Sequence, residues 1–305
     1  MTRKNNNLFK IDSISGLYKL SGLPGPKHPY IGLINFEDIT APSQDPISLV
    51  MNFYSISLKK RCVENKLKYG RNYYDFDEGV LGFMEPGQLI SIEGDNQKPE
   101  GWWLVFHPDL IRPYPLGKNI KNYGFFSYAV NEAIHLSETE EAMLETVFKN
   151  IEKEYNHSID PYSQDVMVSQ IELLLNYSNR FYNRQFITRK TASNDILIKM
   201  EILLEEYFQG DKILEHGLPT VLYFAGKLNL SPNYLSDMLR AVTGQSTQQH
   251  IHNKLIEKAK EALVNTNLSV SEIAYQLGFE HPQSFSKLFK TKMNVSPLEY
   301  RASFN

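Results

Sequence analysis

Cysteine is almost absent from this chain of 305 residues: Cys62 stands alone. No disulfide can form within the chain, and a reducing compartment is expected. Long apolar runs are missing too, since no stretch approaches the ~20 residues of a membrane span. The first seven residues are polar and Asn-rich, without the apolar centre of a leader peptide. A cytoplasmic location with no membrane partner is the expectation. An excess of one charge is also lacking. The 32 Lys and Arg residues against 35 Asp and Glu give a net −3, which favours neither nucleic acid nor membrane for the chain as a whole. The sequence contains no P-loop, nucleophile elbow or dinucleotide fingerprint, so no catalytic residue and no cofactor are expected.

What is present falls into two textures. The apolar fraction of 42% is enough for a core in each of about two domains. The first ~130 residues favour β-structure. Ser48–Leu58 alternates with β-branched and aromatic residues, Leu89–Ile92 and Gly101–Phe106 suit short strands, and Glu85-Pro86-Gly87-Gln88 has turn chemistry. Several short strands with Gly/Pro turns predict a small barrel or sandwich. At Ser137 the texture changes. Ser137 and Glu140 have capping-box spacing, with Met143, Leu144, Val147, Phe148 and Ile151 behind them at helical intervals. Asp160-Pro161 suits the start of a second helix, whose apolar stripe is Met167, Ile171, Leu174, Leu175 and Phe181. Both helices are expected to pack on the β unit, with Met167, Ile171, Leu174 and Phe181 as a candidate dimer surface. Arg184–Asn194 is polar and basic and is the expected linker. The predicted organisation is a β domain over 1–136, a helical segment over 137–184, a linker over 185–194 and an all-helical domain over 195–305.

The last third repeats itself. Ala225, Leu228 and Leu230 match Ala274, Leu277 and Phe279 at an offset of 49, and Pro232, Leu235, Met238, Leu239 and Arg240 match Pro282, Phe285, Leu288, Phe289 and Lys290 at 50. Each copy predicts a helix, a tight turn and a second helix. The small Ala permits a close helix crossing, and Asn229 or Gly278 suits a left-handed turn residue. A Pro opens the second helix. This is helix-turn-helix grammar, in which the second helix enters the major groove of DNA. Gln249–Asn265 between the copies predicts one connecting helix with Ile251, Leu255, Ala259, Ala262 and Leu263 inward. A rod of that length can place two recognition helices roughly 34 Å apart, one turn of duplex. The candidate DNA contacts are Ser231, Asn233, Ser236, Asp237 and Arg240 in copy one, and Pro282, Gln283, Ser286, Lys287 and Lys290 in copy two. Asn and Gln suit adenine and Lys suits guanine, whereas Arg240, Lys290 and Lys292 suit phosphates. From Gly217 onward nine basic and six acidic residues leave only +3. Placement and double occupancy by a homodimer would then have to supply the specificity.

Over roughly Val221–Arg301 the sequence resembles the AraC/XylS family of bacterial transcription regulators. The resemblance is carried by Leu228-Asn229-Leu230-Ser231-Pro232-Asn233-Tyr234-Leu235, by Glu272-Ile273-Ala274 with Gly278-Phe279, by Phe285-Ser286 with Phe289-Lys290, and by Ser296-Pro297 with Tyr300-Arg301. The chain departs from the family pattern at Leu239, His250, Leu255, Gln283, Ser284 and Asn294. The resemblance implies operator DNA as partner, RNA polymerase if the protein activates, and an N-terminal cupin-like domain followed by dimerising helices. The fold class expected is therefore multidomain α+β. In a cupin-like barrel Phe53, Tyr54, Tyr73, Phe83 and Trp103 are candidates for an effector pocket, although such aromatics equally suit plain core. A metal-dependent cupin would need a His-x-His pair. His28 and His107 are isolated, so no metal is expected. A fused enzyme and a regulator governed by protein partners remain as the two other readings.

Overall fold

The computed structural model describes residues 7–40, 47–60, 68–69, 72–73, 79–92, 100–209 and 212–304. It divides into two compact units, Met1–Gln185 and Phe186–Asn305.

The first unit is mixed α and β. Its strands are β1 (Asn7–Ile11), β2 (Ile31–Asn35), β3 (Ile47–Met51), β4 (Tyr54–Lys59), β5 (Lys68–Tyr69), β6 (Asn72–Tyr73), β7 (Gly79–Met84), β8 (Leu89–Ile92), β9 (Gly101–Phe106) and β10 (Ile134–Leu136). They form a three-stranded sheet in the order β1-β3-β8, a five-stranded sheet in the order β10-β7-β4-β9-β2, and the small β5-β6 ladder. Helix α1 (Ile14–Leu20) follows β1, and α2 (Pro108–Ile111) and α3 (Pro115–Asn119) follow β9.

The period of two in β4 decides what the large sheet buries. Ile56 pairs with Phe83 on β7 and Leu104 on β9, placing three apolar side chains on one face. Ser55 and Ser57 alternate onto the other. On that second face Met84 and Val105 join Leu49, Met51 and Phe53, and Ile14, Leu17 and Tyr18 of α1, in one core cluster. Helix α1 was not anticipated. It is only seven residues long, Gly16 weakens its propensity, and it sits in a β-rich stretch; Ser13 caps it by accepting from Gly16 N–H at 3.1 Å. Ser48–Leu58 is not one strand but two. The chain turns at Asn52-Phe53 and passes from the small sheet to the large one.

Helices α4 (Glu138–Asn156) and α5 (Ser163–Thr188) close the unit. The capping box at Ser137 forms, and Glu140 in it also accepts both Arg184 Nε at 2.8 Å and Nη2 at 2.7 Å. Met167, Ile171, Leu174 and Phe181 of α5 are all buried within the chain's own structure. They anchor α5 and do not offer a free dimer surface, which corrects the earlier expectation; the exposed apolar residues of that helix include Val166 and Leu173. The expected linker is also different. Helix α5 runs to Thr188 and α6 (Lys190–Gln209) begins two residues later. Polarity was misleading there because Ser193 is buried and returns its hydroxyl to the Phe186 carbonyl at 3.0 Å.

The second unit is helical. After α6 come α7 (Lys212–His216), α8 (Val221–Leu228), α9 (Pro232–Thr243), α10 (Thr247–Asn265), α11 (Val270–Gln276), α12 (Pro282–Met293) and α13 (Pro297–Ala302). Helix α6 packs on α8 and α9, while α10 touches α9, α11 and α13. Among the described residues no helix is long and apolar enough to cross a membrane.

Helices α6 and α10 are tied through Glu205, which meets Lys254 Nζ at 2.6 Å and Lys258 Nζ at 3.3 Å. Lys254, with Gln209 and Lys258, holds the Glu205 carboxyl down at about 2. A carboxyl depressed in the fold adds stability above its ordinary range and loses it as pH falls towards the depressed value. Glu205→Gln should therefore lower the melting temperature near neutral pH. The gap to the wild type should close between about 4.5 and 2. Thermal unfolding across that range measures this, and a gap that stays constant would remove the role given to Glu205.

Candidate nucleic-acid interface

The two halves of the repeat become two helix-turn-helix units, α8-α9 and α11-α12. In each the turn depends on one left-handed residue, Asn229 at φ 56° and Gly278 at φ 82°. The backbone N–H of the next residue then reaches back to the buried Ala, Leu230 to Ala225 and Phe279 to Ala274, at 2.9 and 3.0 Å respectively. Helices α9 and α12 both open on Pro. Ser231 Oγ accepts from Tyr234 N–H at 3.2 Å and so caps α9. His281 occupies the same place before α12 without a side-chain cap bond.

Burial separates the predicted contacts. Leu235, Met238 and Leu239 of α9 face inward, as do Phe285 and Phe289 of α12. Asn233 and Arg240 on α9, and Gln283, Lys287 and Lys290 on α12, are exposed. With half-buried Asp237 they form two matching rows, 233/237/240 and 283/287/290, each spaced i, i+4, i+7 along one helix face. Pro232, Pro282 and Ser286 are half-buried beside the rows. Ser236 is not aimed outward: its hydroxyl pairs with that of buried Thr247 at 3.1 Å, tying α9 to α10. Lys292 likewise reaches Asn253 Oδ1 on α10 at 3.3 Å, and Asn253 Nδ2 donates to Gln245 Oε1 at 2.8 Å.

The rows differ in charge. Asp237 Oδ1 meets Arg240 Nη1 at 2.5 Å, so the first row is close to neutral. The second carries Lys287 and Lys290 with no acidic member. Phosphate attraction is therefore concentrated on α12. Helix α10, which joins the two units, has 19 residues and spans about 28 Å. Ile251, Leu255, Ile256, Ala259 and Leu263 are its buried apolar side chains.

Of the predicted effector residues, Phe53 and Trp103 share one core cluster, while Tyr54 and Phe83 both pack on Phe126. Phe53 is fully buried core. Tyr54 stacks on Phe106, with centroids 5.2 Å apart. Trp103 donates to Ser55 Oγ at 2.6 Å and stacks on Phe36. The side chain of Tyr73 lies outside the described part of the structure. Phe83 borders a cavity. That cavity holds about 400 Å³, counting the solvent at its mouth, and is also lined by Ser57, Met84, Phe125, Tyr128 and Tyr182. Phe125 and Tyr128 escaped sequence reasoning because the 120–133 stretch has no regular period to mark an inner face. Among the described residues no group of His, Cys, Asp and Glu is arranged to hold a metal.

Two recognition helices on a shared rod define a DNA-binding regulator of the double helix-turn-helix class. Residues 224–303 match a family model described as a helix-turn-helix domain. The raffinose operon transcriptional regulatory protein RafR of Pediococcus pentosaceus is 34% identical over 229 residues, covering 74% of this chain and 76% of that protein. The chain belongs to the AraC/XylS family of transcriptional regulators. Several other relatives match over only 10% to 42% of their own length, among them histidine kinase P4 of Formosa agariphila, 24% identical over 143 residues. Of solved structures, the C-terminal domain of AraT, a response regulator from Geobacillus stearothermophilus, is 32% identical. It covers 35% of this chain and 84% of that one, with a TM-score of 0.32.

The turn of the second unit makes its own prediction. A Cβ on Gly278 would lie 2.8 Å from the Gly217 carbonyl carbon and 2.9 Å from Leu218 N, at a positive φ. Both contacts are backbone, so neither can swing aside. Gly278→Ala should cost about 1–3 kcal/mol of stability, read as a lower denaturation midpoint of the second unit. An unchanged midpoint would contradict this account of the turn.

Proposed function

We propose that this chain regulates transcription by binding operator DNA through the rows 233/237/240 and 283/287/290, one on each recognition helix. The observation that carries the reading is their equivalence: Asn233 and Gln283, and Arg240 and Lys290, are exposed at matching helical positions, while Leu235 and Phe285, and Leu239 and Phe289, are buried. Gln283 and Asn233 are suited to adenine edges, Lys287 to guanine, and Lys290 to phosphate. Arg240 is partly neutralised by Asp237, so the first unit contributes less to electrostatic affinity. Because the whole region carries only a weak positive charge, two chains on one operator are part of the proposal. Their location is the cytoplasm. RNA polymerase becomes a partner if the bound protein activates.

The first unit is, on this reading, a cupin-like sensing domain. Two sheets closed over a shared core and membership of the family both support it. A small molecule in the cavity would bear on α5. Tyr182 lines the cavity and donates its hydroxyl to the Glu132 carbonyl at 3.0 Å. Gln185, one turn on, accepts from His135 N–H at 2.8 Å and donates to the Ala133 carbonyl at 3.3 Å. The same helix continues without interruption to Thr188, so a displacement of its last turns is carried along the chain. An enzymatic reading has no observation in its favour.

Lys287→Ala should weaken binding to a DNA site selected from random sequence by about tenfold and reduce the salt slope by about 1. Asp237→Asn should do the opposite, tightening binding and steepening the slope. Gel-shift titrations at several salt concentrations measure both. Unchanged affinity and slope for Lys287→Ala would take α12 out of the interface.

A further inference from the structure

We infer that Asp237 is a specificity-determining residue, which aims the Arg240 guanidinium at a guanine edge in the major groove instead of at a phosphate; this rests on the operator-binding role proposed above. The point of departure is an acid on a helix face that meets a polyanion. The matching place in the second unit holds Lys287. Asp237 repels phosphate, so general affinity for DNA is not what it serves. The geometry gives it another task. Base edges are met by the N-terminal residues of a recognition helix. Arg240 lies in the last turn of α9, away from that end. Its Nη1 donates to Asp237 Oδ1 at 2.5 Å. That bond draws the guanidinium back towards a residue three positions earlier, about 4.5 Å along the axis. Helical side chains already lean the same way. The charged group is thereby brought up beside exposed Asn233, at the reading end of the helix.

The bond to Asp237 uses one nitrogen and leaves a fork. Among the described residues Nε and Nη2 of Arg240 meet no protein acceptor. Their N–H groups lie side by side in one plane, the arrangement that meets O6 and N7 of guanine together. Lys290, in the matching place on α12, has no fork and no acid three residues before it, and it suits phosphate. The two heads therefore divide the work: α12 holds the backbone and α9 discriminates. An exposed ion pair is worth little while both members face water. It strengthens once the groove excludes water and lowers the effective dielectric. Asp237 acts on the bound state, where it selects between bases, and not on the stability of the free protein.

The test uses the full-length protein, the duplex selected from random sequence and every single-base variant of that duplex. Competition gel shifts give the base preference at each position for wild type, Asp237→Asn, Arg240→Lys and the double variant. Wild type should favour guanine at one position by about tenfold or more, and Arg240→Lys should cut that preference to within about threefold. Asp237→Asn should cut it equally while raising affinity for all the duplexes, and should change it no further in the Arg240→Lys background. Preferences at the remaining positions should stay as they are. A guanine preference that survives Asp237→Asn would overturn the proposal. So would a cytosine preference lost in Asp237→Asn and kept in Arg240→Lys, because Asp237 would then be the reader itself. If Lys287→Ala weakens binding while no variant at 237 or 240 alters any base preference, the operator-binding reading stands and this proposal falls. Equal binding of wild type to selected and unrelated duplexes would remove both.

Discussion

The second unit depends on the buried face of α10. A recognition helix reads a groove only if its own orientation is fixed, and here both are fixed from behind. Ile251, Leu255, Ile256, Ala259 and Leu263 run down one side of a single 19-residue helix. The first helix-turn-helix unit touches that rod through α9 and the second through α11, with α13 packed on the rod as well. Apolar contacts of this kind are worth about 25 cal/mol per Å² removed from water, and they hold over the whole length of the helix. Polar ties add direction. Ser236 to Thr247 sets the roll of α9, and Lys292 to Asn253 links the end of α12 to the rod. The outward rows are what remains once those inner faces are satisfied.

The first unit solves a different problem with the same materials. The large sheet has two buried faces, so its central strands cannot alternate between core and water. Instead β4 places Ile56 and Leu58 on one face and Ser55 and Ser57 on the other. Those serines leave polar atoms inside: Ser55 is satisfied by Trp103, and Ser57 lies at the cavity. Polar residues on an inner sheet face are costly unless they have a partner. Residues 132–135 are hydrogen-bonded to Tyr182, Arg184 and Gln185 near the end of α5.

What was legible in the sequence is what local chemistry encodes. The box at Ser137 announces a helix start because it satisfies its own N–H groups within four residues, and boxes of the same kind form at Ser269 and Ser296. Asn229 and Gly278 announce turns because few other residues tolerate their backbone. Repetition then made two units visible, because each copy repeats the same residue pattern. What escaped depends on partners distant in sequence. Ser236 looks like any polar residue on a helix until Thr247 lies against it. Met167, Ile171, Leu174 and Phe181 form a stripe that marks a buried face without saying what buries it. The 185–194 stretch is polar enough for a loop, yet Ser193 closes its hydrogen bond inside the helices. The cavity draws on residues from four parts of the chain, and none carries a periodic signal.

The central claim is that one stiff rod sets the separation of two reading heads. The direct measurement is binding to a selected DNA site into which about 5 base pairs, half a helical turn, are inserted between the two contacted segments. A rigid spacing predicts that affinity falls to the level of unrelated DNA, and that inserting a full turn does not restore binding by a single chain. Equal affinity for the original and the half-turn site would contradict it.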